Sequence, residues 1–183
     1  VLERGQHSGS ASGVVPSSVR ILRQLLDRVE DAATGDILLP EFQPQIPASH
    51  VRAADDVAAE FGDVAANEQP FAPGVTPMGD SAAERILRRT WYPTLSYTGA
   101  DGLPPTASAG NVLRPSTTLA LSLRLPPNVD ADVACAALRR TLTSDVPHHA
   151  LVEVEVEGAN GWVSPELAPW LRTALEEGSA LAF

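Results

Sequence analysis

Two hydrophobic periods interleave along this chain, and their order restricts the folds open to it more than any other feature. Alternation of period two runs through TWYPTLSYTG, NVLRPSTTLALSLRLPP and ALVEVEVEG. In the second stretch Leu119, Leu121, Leu123 and Leu125 share one face. In the third, Leu151, Val152, Val154 and Val156 stand against Glu153, Glu155 and Glu157. Such patterns build strands with one face buried and the other wet. Helical spacing takes over in VRILRQLLDRVEDAA, where Val19, Leu22, Leu25, Leu26 and Val29 recur. It returns in ADVACAALRRTLTSD, where Val133, Cys135 or Ala136, Ala137 and Leu142 form a stripe behind an Asp130 cap. The first helix is expected from about residue 15 to 33, with Pro16 in its first turn, Ser12 or Gly13 as cap and Gly35 as stop. The opening residues, Val1 to His7, suit a strand that enters a Gly/Ser turn. The resulting order, strand, helix, strand, strand, helix, strand, is that of an α+β ferredoxin-like β-α-β-β-α-β two-layer sandwich. Its expected form is a four-stranded antiparallel sheet with two helices on one face.

One stretch interrupts this order. Residues 36–88 hold six prolines, at 40, 44, 47, 70, 73 and 77, and read as a long, loop-rich insertion after the first helix. Within it HVRAADDVAAEFGDVA and SAAERILRR carry helical patterns. A last amphipathic helix is expected over 165–177, beyond the completed motif. It has no place in a two-layer unit, and VLERGQHSG at the start is neither a leader nor an initiator Met, so the sequence reads as an excised piece.

Composition removes several functional classes. Against 23 acidic residues stand 13 basic ones, giving a net charge of −10, which repels phosphate backbones and anionic lipid. Neither nucleic acid nor membrane is an expected partner. Every basic residue is arginine, which removes Schiff-base chemistry and a phosphate-loop lysine. Cys135 is the single cysteine, so no internal disulfide or CxxC site exists. No apolar run approaches the ~18 residues of a bilayer span.

The residues that could carry chemistry are few. Histidines stand at 7, 50, 148 and 149, none in an HExxH or HxH pattern, so no metal site is expected within the chain. His50, His148 and His149 read as exposed turn residues. GSASG has Ala11 where a nucleophile elbow needs serine. His7 lies at a strand end before Ser8 and Gly9, where a side chain can project or bond to local backbone. Asn111 opens the longest alternating stretch and Arg124 closes it, thirteen positions later. An odd separation sends the two side chains to opposite faces unless a bulge intervenes. Arg124 is either a solvated strand end or a planar clamp for a carboxylate. The residues alone leave three readings: an excised domain of a larger enzyme, an independent ligand-binding or regulatory module of ferredoxin-like fold, and a self-sufficient hydrolase with a His/Asp site.

A set of motifs spread along the chain resembles one family. They are His7-Ser8-Gly9, then Leu22, Leu25, Leu26 and Asp27, then Gly35-Asp36-Ile37-Leu38-Leu39-Pro40. Trp91-Tyr92-Pro93-Thr94-Leu95-Ser96, Asn111-Val112-Leu113 and Ser122-Leu123-Arg124-Leu125-Pro126 follow. Together they resemble the lid, or dimerisation, domain of dinuclear-zinc aminoacylases, carboxypeptidases and dipeptidases, most of all the carnosinase-like, cytosolic non-specific dipeptidase branch. The resemblance implies that residues 1–158 are this lid, with 36–88 as an insertion, and that 159–183 return towards a catalytic domain. It implies a cytoplasmic homodimer and a peptide or acylated amino-acid substrate. Two zinc ions (or manganese or cobalt) and a general-base glutamate belong to the catalytic domain. By the same resemblance His7 stabilises the oxyanion in the partner subunit's site, Asn111 contacts substrate, and Arg124 holds its terminal carboxylate. The family's proline after the Asn-Val-Leu run is here Arg114, with Pro115 one place later.

Overall fold

Alternation and helical spacing become structure in the expected order, with the sheet built differently. The computed structural model describes residues 1–165 and 167–182. A two-residue strand β1 (Gln6–His7) leads into a single helical turn α1 (Ser8–Ala11) and then helix α2 (Ser18–Leu26). Three helices follow in the insertion: α3 (Ala48–Phe61), α4 (Val64–Asn67) and α5 (Ala82–Thr90). Strands β2 (Thr94–Asp101), β3 (Val112–Leu113) and β4 (Thr118–Arg124) come next, then α6 (Ala131–Thr143) and α7 (Pro169–Ala182).

Among the described residues the strands form two antiparallel sheets of two strands each, β1 with β3 and β2 with β4. In the first, Gln6 faces Leu113 and His7 faces Val112. In the second, Leu95 faces Leu123 and Thr94 faces Arg124, with a bulge between Tyr97 and Gly99. The stretch read as one long strand from Asn111 to Arg124 is thus two strands in two sheets. Pro115 between them has no N–H to donate, and its carbonyl instead takes the Val1 and Leu2 amines. The first strand is spent on β3. Residues 150–157 keep the expected alternation, since Val152, Val154 and Val156 pack against the core, but they pair with no described strand. Their closest polar tie is the Val154 carbonyl, which accepts from Arg139 Nη1 at 2.5 Å. At the end of β2 only glycine fits. Gly102 has φ +97, and a Cβ there would stand 2.5 Å from the Ser116 carbonyl oxygen.

The core gathers Ile21, Leu25 and Val29 from α2 and its continuation, Ile37, Leu39 and Phe42 from the following turn, and Ala134, Leu138 and Leu142 from α6. Leu95 and Leu123 close it from the β2–β4 ribbon. Helix α2 is shorter than the 15–33 expected, because the backbone beyond Leu26 is claimed elsewhere. Asp31 Oδ1 accepts from the Ala33 and Thr34 amides, and Glu30 bridges Ile37. Gly35 therefore serves this turn, at φ +73, rather than stopping the helix. The cap of α6 is as expected: Asp130 accepts from the Asp132 and Val133 amides. Its buried face differs by one position, being Ala131, Ala134, Ala137, Leu138 and Leu142, and Val133 is half exposed.

The insertion is more helical than its prolines suggest. Ser81 caps α5 by accepting from the Glu84 amide, and the Glu84 carboxylate reaches back to the Asp80 amide. Arg85 binds Asp63 at 2.8 Å and Arg89 binds Glu68 at 2.5 Å, tying α5 to α4. The Arg85 hydrogen bonds hold the Asp63 carboxyl below its ordinary range. The terminal helix expected over 165–177 is found at Pro169–Ala182, and position 166 of that expectation lies outside the described residues. Among the described residues no helix is long and apolar enough to cross a membrane.

Candidate functional site

The sequence HSGSASG folds into one helical turn because its small residues allow the chain to double back, with Ala11 buried beneath it. His7 stands at the N-cap with extended backbone, φ −62 and ψ 129. Its Nδ1 accepts a hydrogen bond from the Gly9 amide at 3.1 Å, and its carbonyl accepts from Ser10 Oγ at 3.1 Å. The Ser8 amide donates to the Asn111 carbonyl at 2.8 Å, so the residue after His7 is bonded to the residue before β3. His7 and Asn111 thus sit together on an exposed rim formed by β1 and β3.

Arg124 is elsewhere. It is the last residue of β4, exposed on the face that also carries Thr118, Ala120 and Ser122. Thr118 to Arg124 is six strand steps, roughly 20 Å at about 3.3 Å each. Asn111 precedes β3 and Arg124 ends β4, in a different sheet, so the parity of their separation decides nothing about their faces. The single bulge that interrupts the β2–β4 ladder lies on β2. Within one copy, His7 and Asn111 are joined at the β1–β3 pair, and Arg124 lies on the separate β2–β4 pair.

The other histidines are turn and surface residues. His148 and His149 occupy a tight turn with φ of +56 and +53, and both are exposed. His50 rests against buried Trp91, ring centroids 4.9 Å apart. Among the described residues no three His, Cys, Asp or Glu side chains gather to hold a metal ion. A concave surface lined by Asp36, Gln43, Glu84, Arg88 and Tyr92 contains none of the three candidate residues. Its charges are spent on one another, with Arg88 bound to Asp36 at 2.9 Å and to Glu84 at 2.8 Å.

Of the two expectations for His7 in the sequence, a projecting side chain or one bonded to local backbone, the structure shows the bonded one. Gly9 is visible there only as a turn former, yet its amide fixes the His7 ring. The signal is the cap itself: a side-chain acceptor at the N-cap takes the amide two residues on, and histidine is not among the usual caps.

The chain was compared with known proteins. The family model of the peptidase dimerisation domain of M20 enzymes matches residues 1–150. No curated protein sequence matches. Among solved structures the chain is similar to human carnosine dipeptidase 1, with TM-score 0.60 and 19% identity over 78% of this chain and 30% of that one. It is similar to the dipeptidase Dug1p of Saccharomyces cerevisiae, with TM-score 0.57 and 22% identity over 78% of this chain and 30% of that one. A third is the M20 family metallo-carboxypeptidase Sso-CP2 of Sulfolobus solfataricus, with TM-score 0.58 and 15% identity over 77% of this chain and 32% of that one. The chain therefore spans about a third of the length of the structures that share its fold. A match over 150 of 183 positions decides its membership: the chain belongs to the peptidase dimerisation domain family of the M20 enzymes.

Proposed function

We propose that this chain is the lid and dimerisation domain of a cytoplasmic dinuclear-metal peptidase of the dipeptidase type, and that it completes an active site whose metals lie in a separate catalytic domain. The observation that carries this reading is the juxtaposition of His7 and Asn111 on one exposed rim, within a domain of this family. The described residues do not fit a two-zinc site, since no cluster of ligands exists among them. Zinc and the general-base glutamate are accordingly assigned to that other domain, and residues 159–183 to the return towards it. In the assembled enzyme the fold is ferredoxin-like, with 150–157 as a fourth strand. Support comes from Val152, Val154 and Val156, which already face the core that Leu95 and Leu123 cover.

Two copies associate through this domain, and His7 of one serves the site of the other. That the His7 rim belongs to the β1–β3 pair and Arg124 to the β2–β4 pair is compatible with this division. His7 donates a hydrogen bond to the oxygen of the carbonyl under attack, where negative charge develops. Asn111 supplies a second polar contact, and Arg124 clamps the substrate's terminal carboxylate in a planar, two-pronged bond. The substrate is a peptide or an acylated amino acid.

Kinetics of the complete enzyme test the roles. His7→Ala lowers kcat by ~10²–10³ with a smaller change in KM, because an oxyanion contact strengthens in the transition state. Arg124→Ala raises KM for substrates with a free carboxylate and leaves kcat nearly intact. A His7→Ala enzyme with wild-type kcat overturns the oxyanion role. The chain alone, incubated with zinc or manganese and dipeptides, shows no turnover, and metal-dependent turnover by it would replace this reading with that of a self-sufficient hydrolase.

A further inference from the structure

A neutral imidazole carries one proton, and the nitrogen that accepts a hydrogen bond is the one without it. His7 Nδ1 accepts from the Gly9 amide at 3.1 Å, so the proton of the neutral ring sits on Nε2. Nε2 lies across the five-membered ring and faces away from the Gly9 contact. The geometry also favours glycine at position 9. A Cβ on Gly9 would stand 3.1 Å from Nδ1 and 3.2 Å from Cε1, tighter than ordinary van der Waals contact, so a side chain there displaces the ring by a few tenths of an ångström. The peptide that follows His7 is held through both its polar atoms, the Ser10 hydroxyl donating to the His7 carbonyl and the Ser8 amide donating to the Asn111 carbonyl.

We propose that Gly9 is a positioning residue: its amide locks His7 in the Nε2–H tautomer and aims that single N–H outward as a donor. The proposal rests on the reading of His7 as the oxyanion donor and adds what makes it one. A ring flipped by half a turn about its outer bond, or carrying its proton on Nδ1, would present an acceptor or a C–H to a developing negative charge. The contact removes both states without using a second side chain. It also gives Gly9 a reason to be glycine that backbone strain does not, since its φ is not in the left-handed region. Alanine is therefore compatible with the turn.

The test reads the hydrogen bond directly. In the ¹⁵N-labelled chain at alkaline pH, scalar coupling across the hydrogen bond should link the Gly9 amide nitrogen to His7 Nδ1. Nδ1 should carry no proton and Nε2 should carry one. In Gly9→Ala the coupling disappears and the Nδ1–H tautomer becomes populated. In the complete enzyme the same substitution lowers kcat about tenfold with KM little changed, the scale of a sub-ångström misplacement. Absence of the coupling in the wild-type chain, or an unchanged kcat in Gly9→Ala, overturns the proposal. Failure of the underlying reading is separate: there His7→Ala itself keeps wild-type kcat, whatever the coupling shows. A fold defect would be visible in the same spectra as displaced core resonances, and the wild-type measurement stands without any variant.

Discussion

The Tyr97 hydroxyl donates to the Glu30 carboxylate, joining β2 to the turn that follows α2. The two residues are 67 positions apart. Partial burial and then the Glu30 carboxylate push the phenol up to about 12. An ordinary tyrosine titrates at about 10. The neutral phenol is thus the form that the fold favours. Its contribution to stability is fully present below the ordinary value and is lost as pH rises from there through about 12. Because Tyr97 is half exposed, solvent screens the contact and the effect is modest. The difference between the ultraviolet titrations of wild type and Tyr97→Phe should show one phenol ionising near the raised value, and a midpoint at the ordinary one removes the contact. No pattern in the sequence announces this pair, because nothing local links Glu30 to Tyr97. The local bonds are the legible ones: Asp130 and Ser81 each cap an amide within three residues, so the sequence contains both partners of each bond. The His7 turn lies between these cases. Its residues are adjacent, yet the bond from Gly9 uses a histidine as cap, and propensity gives no reason to expect one.

Elements follow from period and drift where several registers are equally apolar. Helix α6 is rich in alanine, so a stripe through Val133 and a stripe through Ala134 are nearly equivalent on paper. Contact with α2 and the β2–β4 ribbon selects the second, and the cap selects where it starts. Asp130 accepts two amides there, which water would otherwise have to satisfy. Asp130→Ala should cost about 1 kcal/mol, as loss of such a cap typically does, and Asp130→Ser should recover most of it. Urea denaturation measures both: the midpoint falls while the slope stays, since no more surface is exposed on unfolding. An Asp130→Ala midpoint equal to wild type means that the helix does not depend on its cap. The same competition explains the strands. Period two in ALVEVEVEG fixes which side chains face inward, and Val152, Val154 and Val156 do face inward. Period cannot choose a ladder neighbour, and that depends on a backbone edge supplied from elsewhere in the chain. Pro115 shows the converse, a single residue that divides one alternating stretch into two strands.

At the scale of the whole molecule the surface argues for company. Trp162 and Trp170 are 76% and 72% exposed, and Leu151 and Leu181 are 92% and 90% exposed. None of the described residues of α7 is buried. A monomer that leaves so much large apolar area in water gains by covering it, and the family to which this domain belongs is named for association. Electrostatics works in the opposite direction. Each copy carries −10, so two copies repel along the approach path whatever contacts they finally make. The reach of that repulsion is set by salt, about 30 Å at ~0.01 M and about 8 Å at ~0.15 M ionic strength. Apolar contact is short-ranged and is not screened in this way, so salt should weaken the repulsion and leave the attraction. Self-association should therefore strengthen as salt is raised from the lower to the higher of these values. Sedimentation equilibrium across a concentration series should then give twice the 19.3 kDa chain mass in the upper salt range. The opposite trend, a dimer that dissolves as salt is added, would mean that complementary charges hold the copies together. A strict monomer at every salt and concentration would mean that this domain alone does not form the dimer.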